Sequence, residues 1–145
     1  MVALFRIEHR TPLPADEAWR RLTVWEHHAA QVPLTRITVT TPPPTTEGTV
    51  LVARTGLGRL GFDDPMEVMA WDPPVRGGAG HCRLEKRGGV VLGWAEIDVR
   101  PAGGGAVVVW TEELRLRGFP RALDAVVVRA GRVVFGRAVK GLLGA

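Results

Sequence analysis

From Val2 to His9 the chain alternates. Ala3, Phe5, Ile7 and His9 share one parity while Arg6, Glu8 and Arg10 take the other, the two-residue period of a strand with one buried face. After Pro12 and Pro14 the period lengthens. The segment ADEAWRRLTVWEHHAAQV has acids early and Ala18, Leu22 and Trp25 at helical spacing, which predicts one helix or two short ones bent near Trp25. β-Branched residues return in Leu34 to Thr41 and, past the turn PPPTTEG, in Thr49 to Arg54. GLGRLG then leads to a strand from Phe62 to Trp71, on which Asp64, Met66, Val68 and Ala70 oppose Glu67, Met69 and Trp71. The turns DPPVRGG, RGG and PAGGG punctuate three more strands: Gly80 to Lys86, Val90 to Arg100 and Ala106 to Leu116.

The last stretch, Pro120 to Leu143, reads as one long helix with Pro120 in its first turn. Leu123, Val127, Ala130, Val134, Ala138 and Leu142 form a stripe that Val128, Phe135 and Val139 widen, with Arg129, Arg132, Arg137 and Lys140 opposite. A helix apolar over half its circumference requires a broad support, and the strands supply it. Gly131 and Gly141, on or beside the apolar arc, each cost about 1 kcal/mol of helix propensity relative to Ala, which points to close approach by a ligand or by strand backbone. Short turns imply an antiparallel meander, with strand one pairing at its far edge. The expected fold is therefore α+β: a curved antiparallel sheet of about seven strands, two short helices after strand one, and a long C-terminal helix across the concave face. A helix laid over so curved a sheet leaves a cavity. Neither a repeat nor a linker divides the chain, so residues 1–145 read as one domain.

Composition narrows the function classes. With 46% apolar residues over 145 positions, the chain can bury one sizeable core. The single cysteine, Cys82, excludes an internal disulfide and a cysteine-pair metal or redox site; with a start, MVALFRIEHR, that lacks a secretory pattern, it leads us to expect a cytoplasmic protein. No apolar run approaches the length of about 18 residues needed for a membrane span. The net charge of +4 comes from spread arginines without a recognition motif, which reads as a soluble basic surface and argues against nucleic acid as the partner.

Strand parity selects the candidate chemistry. Ala106, Val108, Trp110, Leu114 and Leu116 face inward and carry Glu112 with them; Asp64 is inward with Met66 and Val68. Arg54 shares a parity with Val50 and Val52. A charge removed from water costs several kcal/mol unless paired, so Arg54, Asp64 and Glu112 are expected to meet inside, as a ligand-facing cluster or as an ion pair near the strand ends. A desolvated Glu112 or Asp64 has its pKa raised and can move a proton, which makes these two the catalytic candidates. Trp110, Met66, Trp25 and His28 from the sheet and short helices, with Val127, Gly131 and Val134 from the long helix, are the expected ligand contacts. Adjacent His27 and His28 point about 100° apart on a helix, His9 is inward and His81 outward, so no metal site is predicted. Cys82 shares its face with Leu84 as a small buried hydrophobe. Gly56, Gly58 and Gly61 are one position short of a dinucleotide loop and lead into a strand, so no cofactor is implied. Trp94, on the outward parity, is a local patch or, if bare, a dimer interface; monomer and homodimer both stay open.

The segment LPADEAWRRLTVWEHHAAQVPLT, followed by GTVLVARTGLGRLGFDDPMEVMAWDPP, resembles the START-like (SRPBCC) superfamily of polyketide cyclases, lipid-transfer domains and pollen-allergen-like proteins, and within it small actinobacterial members described as polyketide cyclase or dehydrase and lipid-transport-like. The order of elements matches over nearly the whole chain. The resemblance implies a helix-grip fold and a hydrophobic ligand between the long helix and the sheet; some members cyclise, aromatise or hydrolyse there. Fold alone does not decide among these activities. Three readings follow: a binder of a lipid- or polyketide-like molecule, a cyclase or aromatase using Glu112 or Asp64 as proton acceptor with Arg54 on an enolate, and a basic-surface module for nucleic acid or an acidic partner.

Overall fold

The alternating segments form the strands of one sheet. The computed structural model describes residues 2–57, 59–118 and 120–144. In chain order the elements are β1 (Val2–Thr11), α1 (Ala15–Thr23), a 3₁₀ helix (Trp25–Ala30), β2 (Thr35–Val39), β3 (Val50–Leu57), β4 (Leu60–Asp72), β5 (Gly80–Lys86), β6 (Val91–Ala102), β7 (Gly105–Leu116), a 3₁₀ turn (Arg121–Leu123) and α2 (Asp124–Leu143). The sheet order is β1-β7-β6-β5-β4-β3-β2, antiparallel throughout. The meander is thus complete, and β1 closes on β7 at the edge, as the short turns require.

Two features of the strands depart from the sequence pattern. GLGRLG is less a connection than a hairpin end: Gly56 pairs with Gly61 and Leu57 with Leu60, and Gly58 lies outside the described residues. In β4 a register shift between Val68 and Ala70 reverses the parity beyond it. Ala70 now faces Arg83 on the outer side and Trp71 faces Cys82 on the inner side, where its ring meets Trp19 at 5.1 Å and Trp25 at 6.4 Å.

α1 ends at Thr23 and the chain continues as the 3₁₀ helix, the two short helices bent near Trp25. Together they bury Ala18, Trp19, Leu22 and Trp25 against the sheet. The long helix starts later, and the expected stripe is buried only toward its C-terminal end, at Ala138, Val139 and Leu142. Pro120 is extended and precedes a 3₁₀ turn, so the α-helix itself runs from Asp124. Its buried residues are Gly131, Ala138, Val139, Leu142 and Leu143, while Ala130 is exposed. Gly131 is the point of closest approach. A methyl there would sit 2.7 Å from Phe5 Cε1, so the group that comes close is a β1 side chain and neither ligand nor strand backbone. The helix ends at Gly144 (φ 74°), and Arg21 of α1 donates to the Leu143 carbonyl at 3.1 Å. No described helix is long and apolar enough to cross a membrane.

Candidate functional site

Between the concave face of the sheet, the short helices and α2 lies a cavity of about 260 Å³. That is slightly below the usual range of small-molecule sites, about 300–1,000 Å³. Trp25, His28 and Trp110 form one end; Thr35, Thr55, Phe62, Val91 and Leu116 line the other, at the strand ends of β2, β3, β4, β6 and β7. Aromatic rings run along its length: Trp110 lies 5.5 Å from His28 and 5.6 Å from Phe135, which stacks on Phe5 at 5.5 Å.

Three charged side chains enter this apolar space. Asp64 is inward on β4, Lys86 ends β5 on the face of Cys82 and Leu84, and Glu112 is inward on β7. β6 separates Lys86 from Glu112, but its inward residues there are Gly93 and Ala95, too small to block the lysine stem. Lys86 Nζ donates to Asp64 Oδ2 at 2.6 Å and lies 3.5 Å from Glu112 Oε1 and 3.7 Å from Met66 Sδ. Both the Lys86 and Glu112 side chains are 3% exposed. Removing such charges from water is tolerated only because they compensate one another.

Electrostatics separates the two carboxyls. Burial pushes Glu112 up to about 7, the Lys86 charge only partly opposing it. Burial also raises Asp64, again against Lys86. For Lys86, burial is the largest single influence and lowers its pKa, yet the two carboxylates together outweigh it and the net direction is upward. The shorter contact makes Asp64 the ionised partner of the ammonium, and Glu112 the group that holds a proton near neutrality. Among the described residues, Asp64 Oδ1, Glu112 Oε2 and Trp110 Nε1 are buried without a hydrogen-bond partner. All three residues are among those that line the cavity.

The remaining histidine at the site is neutral. Burial lowers the pKa of His28, and its Nε2 lies 2.6 Å from the Leu22 carbonyl, to which it donates. That leaves Nδ1 as an acceptor.

Placement corrects several sequence expectations. Arg54 does not join Asp64 and Glu112. Leu51 pairs with Met66 and faces inward, so Arg54 has the opposite parity and reaches Asp63 at 3.3 Å on the exposed face. Val127, Gly131 and Val134 are not among the cavity-lining residues either; α2 contributes Phe135. Asp64, Glu112, Trp110, Met66, Trp25 and His28 do line the cavity. Lys86 is the residue that sequence reasoning missed. Its signal was available, since it stands two positions after Leu84, but a lysine at a strand end is ordinarily solvated. On the outer face, His81 pairs with Asp98 at 2.7 Å, and the Arg83 guanidinium covers the Trp94 ring at 4.6 Å, so Trp94 is not bare. Burial pushes the Cys82 thiol up to about 12, an inert buried side chain.

No protein-family profile matches the chain and no curated protein does. Solved structures match over nearly its full length. TTHA0849 from Thermus thermophilus is 19% identical with a TM-score of 0.76, covering 97% of this chain and 94% of that one. The Zhui aromatase/cyclase from Streptomyces sp. R1128 is 15% identical, with a TM-score of 0.69 and coverage of 99% and 94%. A Thalictrum norcoclaurine synthase point mutant, in complex with a transition state analogue, is 15% identical, with a TM-score of 0.67 and coverage of 99% and 94%. These likenesses establish the helix-grip fold.

Proposed function

We propose that the chain is a cytoplasmic, single-domain protein, monomeric or homodimeric, that binds a hydrophobic small molecule of lipid- or polyketide-like character between α2 and the sheet. The observation that carries this reading is the apolar, aromatic-lined cavity, in which Asp64, Lys86 and Glu112 are the charged groups among the described lining residues. An occupant gains by burying apolar surface along Trp25, Trp110 and Phe135, at about 25 cal/mol per Å² removed from water. Its polar end is oriented by Asp64, Lys86 and Glu112; Asp64 Oδ1 and Glu112 Oε2 have no hydrogen-bond partner among the described residues. The test uses 1-aminoanthracene, a neutral apolar fluorophore. Its emission should rise at one probe per chain, and Ala53→Trp, which fills the cavity from β3, should abolish the rise while far-UV circular dichroism stays unchanged. Absent uptake, or uptake indifferent to Ala53→Trp, would overturn the reading.

A second reading, a cyclase- or aromatase-type enzyme acting on a polyketide-like chain, draws support from the poise of Glu112. A carboxyl held near neutral pKa in a dry cavity can donate or accept a proton, and the Lys86 ammonium beside it can stabilise a developing enolate. Arg54, on the outer face, has no part in that chemistry. Turnover of a polyketide mimic that is abolished by Glu112→Gln with binding intact would favour this reading; binding without turnover by the unmodified protein would eliminate it.

A further inference from the structure

Two surface features meet at the Phe62 end of the cavity, where α2 begins, and the second continues along the helix to its far end beside α1. The first is apolar. Leu57 and Leu60 oppose each other at the β3–β4 hairpin end, 68% and 82% exposed. Leu34 is exposed before β2, Val90 before β6, and Leu123 and Val126 where α2 begins. The antiparallel order places the ends of β3, β5 and β7 and the starts of β2, β4 and β6 at this one edge of the sheet, so these side chains surround the mouth. Exposed aliphatics on several separate loops around one opening are not scattered surface noise.

The second feature is charge. Arg129, Arg132, Arg137 and Lys140 are exposed on the outer face of α2, with Arg121 in the turn before it. None takes part in an ion pair among the described residues. With Asp124 as the single acid of this stretch, these five cations account for the entire net charge of +4, and the rest of the chain is balanced. Val126 and Val133 are exposed among them. A basic helix face interleaved with aliphatics, next to a rim of leucines, matches the interface of an anionic bilayer, where cations meet headgroups and aliphatics enter the acyl boundary. Nucleic acid is the poorer fit, because the exposed face of α2 has no aromatic or amide side chain to stack on or read bases. A mouth-to-mouth second copy would set this positive face against itself.

We propose that the chain docks mouth first on an anionic lipid bilayer, with the N-terminal half of α2 lying along the surface. The cavity then opens toward the phase in which an apolar ligand is most concentrated. Docking is measurable whether or not the cavity holds a ligand, so its failure and that of the binding reading are distinguishable.

The full chain is sedimented with vesicles of phosphatidylcholine alone or with about a third phosphatidylglycerol, at low and high salt. Binding should require phosphatidylglycerol and weaken as salt rises. Arg129→Gln and Arg132→Gln should each lower partitioning about fivefold, from about 1 kcal/mol per cation near such a surface. Leu57→Ser and Leu60→Ser should each lower it about tenfold, through lost aliphatic insertion. All four sites are exposed, and unchanged thermal melts verify folding. Equal binding to neutral vesicles, absent vesicle binding, tighter binding to a duplex oligonucleotide than to anionic vesicles, or unchanged binding by these variants would each overturn the proposal.

Discussion

Replacing Glu112 by Gln should change how stability depends on pH more than it changes stability itself. In the folded chain, burial holds this carboxyl at about 7, against an ordinary value of 4.5. From about pH 5 upward the unfolded chain loses this proton while the folded chain keeps it until about pH 7, so the folded state binds more protons and stability falls as pH rises. The gap between about 7 and 4.5 corresponds to about 3 kcal/mol once both states are ionised, most of it lost between about pH 5 and about pH 8. Glu112→Gln keeps the shape and an oxygen toward Lys86 but cannot ionise, so this slope disappears. Near pH 5 the two proteins should melt together, and near pH 8 the variant should melt about 5 to 10 °C higher than the unmodified chain. Circular dichroism melts across that range provide the assay. Parallel profiles, or a variant that loses ground as pH rises, would refute the assignment of Glu112 as the protonated member of the triad.

Lys86→Met leaves Asp64 and Glu112 facing each other without a cation, and should destabilise the fold by about 3 to 5 kcal/mol in urea titrations at neutral pH. Adding Asp64→Asn to that chain should recover most of the loss, whereas a loss that persists would show that the stem of Lys86 matters more than its charge. Gly131→Ala places a methyl 2.7 Å from the Phe5 ring, an overpacking cost of about 1 to 3 kcal/mol against about 1 kcal/mol gained in helix propensity. With Phe5→Leu already in place the same substitution should become neutral or stabilising; strict additivity in the double-mutant cycle would count against the contact.

The two readings of the cavity converge on the same atoms. Among the described residues Asp64 Oδ1 and Glu112 Oε2 are buried without partners, whether their carboxyls hold a ligand in place or exchange a proton with it. The apolar rim and the basic face of α2 are spent on neither, since they point away from the cavity into solvent.

Much of this molecule was legible in one dimension because the period of a strand is local. Alternation alone placed Glu112 with Val108 and Trp110, and Asp64 with Met66, on the inner face, and short turns between strands left β1 only the edge beside β7. Where local periodicity broke or was ambiguous, tertiary contacts decided. The bulge at Met69 turned Trp71 inward, and pairing with β4 turned Arg54 outward. A helix presents a new face every 100°, and packing kept Ala138, Val139 and Leu142 of the expected stripe in the core while it exposed Ala130, buried Gly131 and left Phe135 as the helix contact with the cavity. The partner of the buried carboxylates was also a three-dimensional outcome. Lys86 is 22 residues from Asp64 in sequence and reaches Glu112 only across Gly93 and Ala95 of another strand. Charge pairing in a core depends on which side chains the sheet brings within a few ångströms, and that is set by register and packing between distant segments, which no local pattern encodes.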